Sequence, residues 1–231
     1  MTSSSKRFCL SVLALLIVAP AFSEELPGSW RLAENRIVAG IPLKVFVEAE
    51  KTPGRPAFKI ETIFEARPST AAVTLMHNML ADSDLPDGQR REVLESKGRE
   101  ALVYTFIDLP FLLADRELAL RVVHSDDPVT GIHRIDWHEE NAALPEGSED
   151  VVRLSGARGY WEFRPEGDQR THATYLTQTE IGGSIPKSIA DRLLKGQAVE
   201  DVERLRGHIE KRRRFAELEG SDGLPSVGAG P

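Results

Sequence analysis

The sequence predicts an α+β protein in which a curved antiparallel β-sheet wraps around a long C-terminal α-helix. Between Ile41 and Ile181, apolar and polar residues alternate in successive runs, which is the period of half-buried strands. Most of these runs are separated by short turns, and short links join antiparallel neighbours. An amphipathic run from Lys187 to about Arg214 then follows. This order of elements favours one sheet covered by its last helix.

The first 23 residues have the layout of a secretory signal peptide. Two basic residues precede an apolar stretch from Phe8 to Ala19, and small residues follow it. We expect cleavage after Ala21 or Ser23, and a mature protein that is periplasmic or secreted. A retained membrane anchor is the alternative, but about 12 apolar residues fall short of the roughly 20 that span a bilayer.

Composition limits the domain count, the chemistry and the partners. The 231 residues are 41% hydrophobic, which suffices for one domain with a full core. The only cysteine, Cys9, lies in the predicted leader, so the mature chain has no thiol chemistry. A formal net charge of −7 makes nucleic acid an unsuitable general partner. We expect a monomer without a cofactor, a folded domain at 24–215 and a disordered tail at 216–231.

Residues 29–64 are predicted to contain a short lead-in segment and two strands. Residues 29–36 suggest a short lead-in helix or turn. Alternating apolar residues over Ile41–Glu50 and Phe58–Phe64, with Pro53 and Gly54 between them, predict a hairpin.

Two helices are predicted in the next segment. Ser69 is suited to cap a helix whose buried face we expect to hold Val73, Met76 and Leu80. After a turn, residues 89–96 predict a second, shorter helix.

Six further strands are predicted, and their short turns indicate an antiparallel meander. The predicted strands are Arg99–Asp108, Arg116–Ser125, Gly131–His138, Asp150–Ser155, Tyr160–Arg164 and Thr171–Ile181. One of the predicted turns is the glycine-containing segment 156–159. The connection Glu139–Glu149 is longer than a hairpin requires, so we interpret it as a mobile lid.

The long helix has a clear start and an apolar stripe. Gly182 and Gly183 allow a tight turn, Ser184 can cap the helix, and Pro186 suits the first helical turn. The expected stripe is Ile185, Ile189, Leu193, Val199, Val202, Leu205 and Ile209. The expected wet face includes Asp191, Lys195, Glu203 and Arg206.

Familiar catalytic and metal motifs do not fit. Ser184 resembles a nucleophile elbow, but Pro186 stands where that motif needs glycine, so we interpret Ser184 as a helix cap. The acidic segment 82–88 has proline and glycine at positions unsuited to a calcium loop. The six histidines show no pair at ligand spacing with a third ligand, so we predict no metal site.

Two charged features keep two interpretations each. Glu117 and Arg121 lie on one strand face, opposite Leu118 and Leu120, and are either solvated or anchors for a polar head group. The basic segment 211–214 is either a solvated helix end or a contact for anionic lipid head groups.

Several segments, in order, resemble those of the START (steroidogenic acute regulatory protein-related lipid transfer) domain family. The matching segments are Val103–Phe111, Asp115–Leu118, Val152–Leu154, Trp161–Pro165, Thr174–Leu176 and Gly182–Lys187. The resemblance covers roughly residues 30–214. It implies the helix-grip fold, in which a lipid or sterol lies between a curved antiparallel sheet and the C-terminal helix.

The resemblance implies non-covalent binding of a lipid or other hydrophobic molecule, with lipid transfer and transient membrane contact as consequences. Aromatic residues on successive strands and the first turns of the long helix are the expected cavity walls. The candidate ligand-binding residues are Tyr104, Leu118, Leu120, Trp137, Trp161, Tyr175, Ile185, Ile189 and Leu193.

Two rival functions remain open. Related helix-grip proteins include cyclases and hydrolases, so a single acid or base such as Glu117 would make the protein an enzyme. A buried ionisable group that faces the cavity and has a perturbed pKa would favour that interpretation. A pure interaction module would instead have a filled core and no cavity.

Overall fold

The computed structural model of the chain describes most of the predicted domain. The described residues are 29–38, 40–49, 55–81, 85–109, 114–147, 150–180, 182 and 187–221, except for the side chains of 187, 188 and 216–221. The predicted signal peptide, Ser184, Ile185 and the last ten residues of the predicted tail lie outside them.

The described residues form ten strands of one sheet, two α-helices and a short 3₁₀ helix at Asn141–Ala143. The strands are β1 Trp30–Val38, β2 Ile41–Glu48, β3 Ala57–Phe64, β4 Gln89–Lys97, β5 Glu100–Ile107, β6 Asp115–Asp127, β7 Ile132–Glu139, β8 Val151–Arg153, β9 Ser155–Pro165 and β10 Thr171–Glu180. The helices are α1 Pro68–Leu80 and α2 Lys187–Ser221. The predicted α+β class is confirmed.

The sheet order is β1-β2-β3-β10-β9-β7-β6-β5-β4. The predicted meander therefore holds for β4 to β7 and for β9 to β10, but β3, the strand before α1, pairs with β10. Strand β7 pairs with β6 only from Leu120 onward. The short β8 pairs in parallel with the preceding part of β6, at Asp115–Glu117. The β3–β10 pairing joins strands β1–β3 to the remaining strands, so that one continuous sheet packs against α2.

Both edge strands correct the sequence analysis. The lead-in helix or turn at residues 29–36 is wrong, because these residues form β1. The helix predicted at 89–96 is also wrong, because these residues form β4. Most residues of each edge strand are exposed and none is fully buried, so neither strand shows the alternation that burial on one face produces. The predicted turn at 156–159 is a third correction, since β9 continues through it.

The expected buried face of α1 is confirmed at Met76 and Leu80, which pack against the core, and is wrong at Val73. Ala71, Ala72 and Leu75 are buried, whereas Val73 is 47% exposed. Proline at its first turn begins the helix, and the N-cap position is Arg67. Within the described part of the chain, no helix combines the length and apolarity that crossing a lipid bilayer requires.

Helix α2 packs its middle turns on the sheet. Ala198, Val202, Leu205 and Ile209 are at most 2% exposed and share one core with side chains of β2 and β5, the strands next to the sheet edges. A single core with these members requires the sheet to curve around the helix. The helix continues to Ser221, six residues past the predicted domain boundary.

The first turns of α2 depart from the predicted stripe. Ile189 is 49% exposed and Leu193 is 48% exposed, so the expected apolar wall is wrong at these positions. The prediction that Arg206 lies on the solvent-exposed face is also wrong, because Arg206 is buried, with 6% exposure.

Candidate binding cavity

A cavity of about 300 Å³ lies between the inner face of the sheet, α1 and the middle of α2. The apolar part of its wall is larger than the polar part, and the polar groups come from α1, α2, β4 and β10. The apolar and aromatic lining includes Leu75, Met79, Leu85, Ile107, Leu118, Leu120, Trp137, Leu154, Ala157, Trp161, Tyr175, Leu194 and Ala198. The volume is at the lower end of the range for small-molecule sites.

Aromatic rings from three adjacent strands form one wall. The rings of Trp161 and Tyr175 are stacked with centroids 4.4 Å apart, and the ring of Trp137 is tilted against Tyr175 at 5.7 Å. Each ring points to the concave face because its strand alternates and because Trp161 and Tyr175 are register partners. This wall offers a large, rigid apolar surface.

One corner of the cavity is polar. Asp201 on α2 accepts a hydrogen bond from the Tyr175 hydroxyl at 3.1 Å and another from the Gln197 amide at 2.9 Å. All three residues line the cavity. A carboxyl group, a hydroxyl group and an amide thus meet at one point of the cavity wall.

Burial governs the ionisation of this corner. Burial raises the pKa of Asp201, against the opposing effects of the hydrogen bonds and of the charges of Arg204 and Arg91. Burial likewise raises the pKa of Tyr175 well above its usual value. The pKa of Arg91 is lowered by burial, and its guanidinium donates to the backbone oxygen of Asn78 at 2.6 Å. The site can therefore hold or move a proton at Asp201.

The structure sorts the predicted ligand-binding residues into three groups. Leu118, Leu120, Trp137, Trp161 and Tyr175 line the cavity. The expectation that Tyr104, Ile189 and Leu193 line it is wrong: Tyr104 lies on the outer face of β5, and the other two are on the exposed side of α2. Ile185 lies outside the described residues.

Glu117 and Arg121 do not pair with each other and do not face the cavity. Arg153 donates to Glu117 at 2.6 Å, and the Tyr104 hydroxyl donates to it at 3.1 Å. Arg121 forms a two-hydrogen-bond ion pair with Glu140, both contacts at 2.7 Å. The prediction that they share a face opposite Leu118 and Leu120 is confirmed, and that face is the outer one.

The described part of the predicted lid, residues 139–147, is attached at the sheet edge and contributes no lining residue. The Asn141 side chain accepts from the Ala119 amide at 2.9 Å and donates to the Leu154 oxygen at 2.6 Å. It thereby bridges the gap in the ladder between β7 and β8. Leu85 and Pro86, in the link between α1 and β4, do line the cavity.

The sequence analysis missed the polar residues of the site. Gln197 and Asp201 are four apart on α2, as are Leu194 and Ala198, so each pair shares a helix face. That spacing was readable from the sequence. The pairing of Asp201 with Tyr175 required the three-dimensional fold, because 26 residues separate them.

Comparisons with known proteins support the fold. No protein-family model matches the sequence. An uncharacterized protein of Pseudomonas aeruginosa, PA1579, is 27% identical over 121 residues, which span 52% of this chain and 59% of that protein.

Solved structures with the same architecture are START domains. A STAR-related lipid transfer protein fragment from Xanthomonas axonopodis matches with a TM-score of 0.66 at 21% identity, covering 78% of this chain and 98% of that one. Human STARD10 matches with a TM-score of 0.67 at 15% identity, covering 84% and 78%. The chain has the START helix-grip fold.

The sequence resemblance is thus confirmed at the level of the fold. The human StAR-related lipid transfer protein 5 adds a TM-score of 0.62 at 13% identity, covering 80% of this chain and 88% of that one. In the START fold of this chain, the cavity and its polar corner lie between the sheet and α2.

Proposed function

We propose that this protein binds a lipid or another hydrophobic small molecule, non-covalently, in the cavity between its sheet and α2. The cavity itself carries the proposal. A concave, mostly apolar space of about 300 Å³ walled by Trp137, Trp161 and Tyr175 has the size and lining of a small-molecule site. A pure interaction module would have a filled core.

The ligand in this proposal is apolar with one polar group. Each CH₂ that leaves water contributes about 0.8 kcal/mol of binding free energy, so the apolar walls supply the affinity. Asp201, Tyr175 and Gln197 supply one hydrogen-bonding point, which would orient the polar end of the ligand. Several solved proteins of the same fold are named for lipid transfer, and transfer of the bound molecule is part of the proposal.

Export and membrane contact are further parts of the proposal. The leader-like segment at residues 1–23 supports export to the periplasm or beyond the cell. The exposed basic segment 211–214, about two turns before the end of α2, is followed by Phe215, which is 57% exposed, and both support transient contact with anionic membranes. We propose that the protein acts as a monomer, which light scattering would test.

Native mass spectrometry of the protein purified from its own host tests the binding proposal. We expect a mass adduct that organic extraction removes and identifies as an apolar molecule with one polar group. Protein that carries no adduct and takes up no fluorescent phospholipid from phosphatidylcholine and phosphatidylglycerol vesicles would contradict the proposal.

Acid–base catalysis is the second candidate, and Asp201 is the observation that favours it. A half-buried carboxyl group in a ligand cavity, with a pKa that desolvation raises, is suited to act as a general acid or base. Glu117, the group named from the sequence, faces away from the cavity.

A turnover screen of ester and polyketide-like substrates separates the two candidates. The wild type, Asp201→Asn and Glu117→Gln should be compared side by side. Turnover that disappears only in Asp201→Asn would make the protein an enzyme, whereas ligand binding without product in all three would support the binding protein.

A further inference from the structure

Two histidines and an aspartate meet beside the turn of the β6–β7 hairpin. His124 and Asp126 are two residues apart on β6 and so share a face, and His133 on β7 is the register partner of Asp126. One ligand atom of each residue lies within 4.8 Å of the other two. The three side chains are on the same sheet face as the buried Ile135, at a distance along the strands from the cavity lining.

The two imidazoles are spaced like ligands of one metal ion. Nε2 of His124 is 3.2 Å from Nδ1 of His133, and the rings are stacked with centroids 5.4 Å apart. Two nitrogens that bind one tetrahedral Zn²⁺ at about 2.0–2.1 Å are about 3.3 Å apart. A hydrogen bond between two neutral imidazoles also fits this distance, so the spacing alone leaves two interpretations.

The chemistry of the three groups favours a metal. Two imidazole nitrogens and one carboxylate oxygen, close enough to share one ion, are the donor types that transition-metal dications bind. Asp126 forms an ion pair with Arg99, so a positive charge already occupies part of this site. A dication would compete with that guanidinium for the carboxylate.

We propose that His124, His133 and Asp126 form a binding site for a transition-metal dication such as Zn²⁺. Two imidazole nitrogens and one carboxylate oxygen suit Zn²⁺, Ni²⁺ or Cu²⁺ better than Mg²⁺ or Ca²⁺, which prefer all-oxygen ligands. Three protein ligands leave a fourth position open for water or another ligand. The proposal is independent of the hydrophobic cavity, because none of the three residues lines it.

Titration of the untagged protein with Zn²⁺ tests the site. After treatment with a chelator, calorimetry should give one Zn²⁺ per chain. In the same wild-type protein, the imidazole ¹⁵N resonances of His124 and His133 should shift on addition of Zn²⁺, and those of the other histidines should not. This measurement needs no substitution, so it remains decisive if a variant fails to fold.

Variants assign the binding to the proposed ligands. In His124→Ala and His133→Ala the Zn²⁺ affinity should fall by at least about tenfold, since a direct ligand contributes no less than an outer-shell partner. Arg99→Gln should tighten binding, because it removes the competing cation. His138→Ala is the matched control: His138 is exposed on the same strand and lies opposite Arg121. No saturable Zn²⁺ binding by the wild type, or binding that is unchanged in the His124→Ala/His133→Ala double variant, would overturn the proposal.

Discussion

The indole of Trp137 lies directly against Gly159, its register partner on the neighbouring strand β9. A Cβ at residue 159 would overlap Cζ2 of Trp137 and the carbonyl oxygen of Leu176, and would lie 2.9 Å from Cε2 of the indole. Neither the backbone nor the fused ring can move away easily. Glycine at 159 is therefore the condition under which the tryptophan can form the aromatic wall of the cavity.

Gly159→Ala should destabilise the protein and displace Trp137. Overpacking of this kind costs about 1–3 kcal/mol in the free energy of unfolding, which urea denaturation measures. Near-ultraviolet circular dichroism should show the changed tryptophan environment. Gly196→Ala is the control: a Cβ at Gly196 meets nothing within 4 Å, and alanine in a helix interior should stabilise by about 0.5–1 kcal/mol. Equal stability of Gly159→Ala and the wild type would contradict the proposed role of Gly159.

Central strands were predictable from the sequence, and edge strands were not. In β9 the buried Trp161 and Phe163 alternate with the less buried Tyr160, Glu162 and Arg164, and this alternation was visible in the sequence. β4 contains Arg90, Arg91, Glu92 and Glu95, which are good helix formers. It lies at the edge of the sheet and has no apolar face, since most of its residues are exposed. Only the pairing with β5 identifies it as a strand.

The apolar stripe predicted for α2 is wrong before Val199, and helix geometry explains why. From Leu193 to Val199 there are six residues, a rotation of about 600°, which leaves Val199 about 120° away from the face of Leu193. Leu194 and Ala198 continue the face of Val202 instead, and these residues line the cavity or the core. The His124–His133 pair was beyond sequence reasoning because it depends on the register of two strands.

Leu194→Trp should lower ligand loading, whereas Ile189→Trp should not. Leu194 is half-buried and lines the cavity, so the larger side chain occupies space that the ligand needs. Ile189 is on the same helix but 49% exposed. We expect the affinity measured by native mass spectrometry to fall about tenfold in the first variant, equivalent to about 1.4 kcal/mol. Equal loading of both variants would place the ligand elsewhere.

Arg206→Met should stabilise the protein. Arg206 is 6% exposed and donates to Thr62 at 2.8 Å, but its Nε and Nη1 atoms have no hydrogen-bond partner among the described residues. A buried, unsatisfied polar group costs about 1–3 kcal/mol, and Thr62 retains its hydrogen bond to Pro42. Urea denaturation of Arg206→Met should show a higher free energy of unfolding than that of the wild type.

Arg212→Met, at an exposed position of the same helix, is the control and should change the free energy of unfolding by less than about 0.5 kcal/mol. A less stable Arg206→Met would show that the guanidinium contributes to the fold.

Asp201→Asn should change the pH dependence of stability. The folded-state pKa of Asp201 is raised by burial, whereas the unfolded chain releases this proton near pH 3.9. As the pH rises from that value to the folded-state pKa, the wild type binds more protons folded than unfolded and so loses stability. The variant lacks this loss, so its free energy of unfolding relative to the wild type should increase through the window and then level off.

The substitution also removes the attraction of the Asp201 carboxylate for Arg91 and Arg204 at every pH above the window. The test is therefore the shape of the difference curve and not its height. Glu140→Gln provides the control of opposite sign. The hydrogen bond from Arg121 lowers the pKa of Glu140, so in that case the wild type gains stability as the pH rises from the folded-state pKa to the unfolded-state value. Denaturation curves recorded from pH 3 upward measure both differences. A flat difference between wild type and Asp201→Asn would mean that the carboxyl group titrates as it does in the unfolded chain, and Asp201 would then have no special capacity to hold a proton inside the cavity.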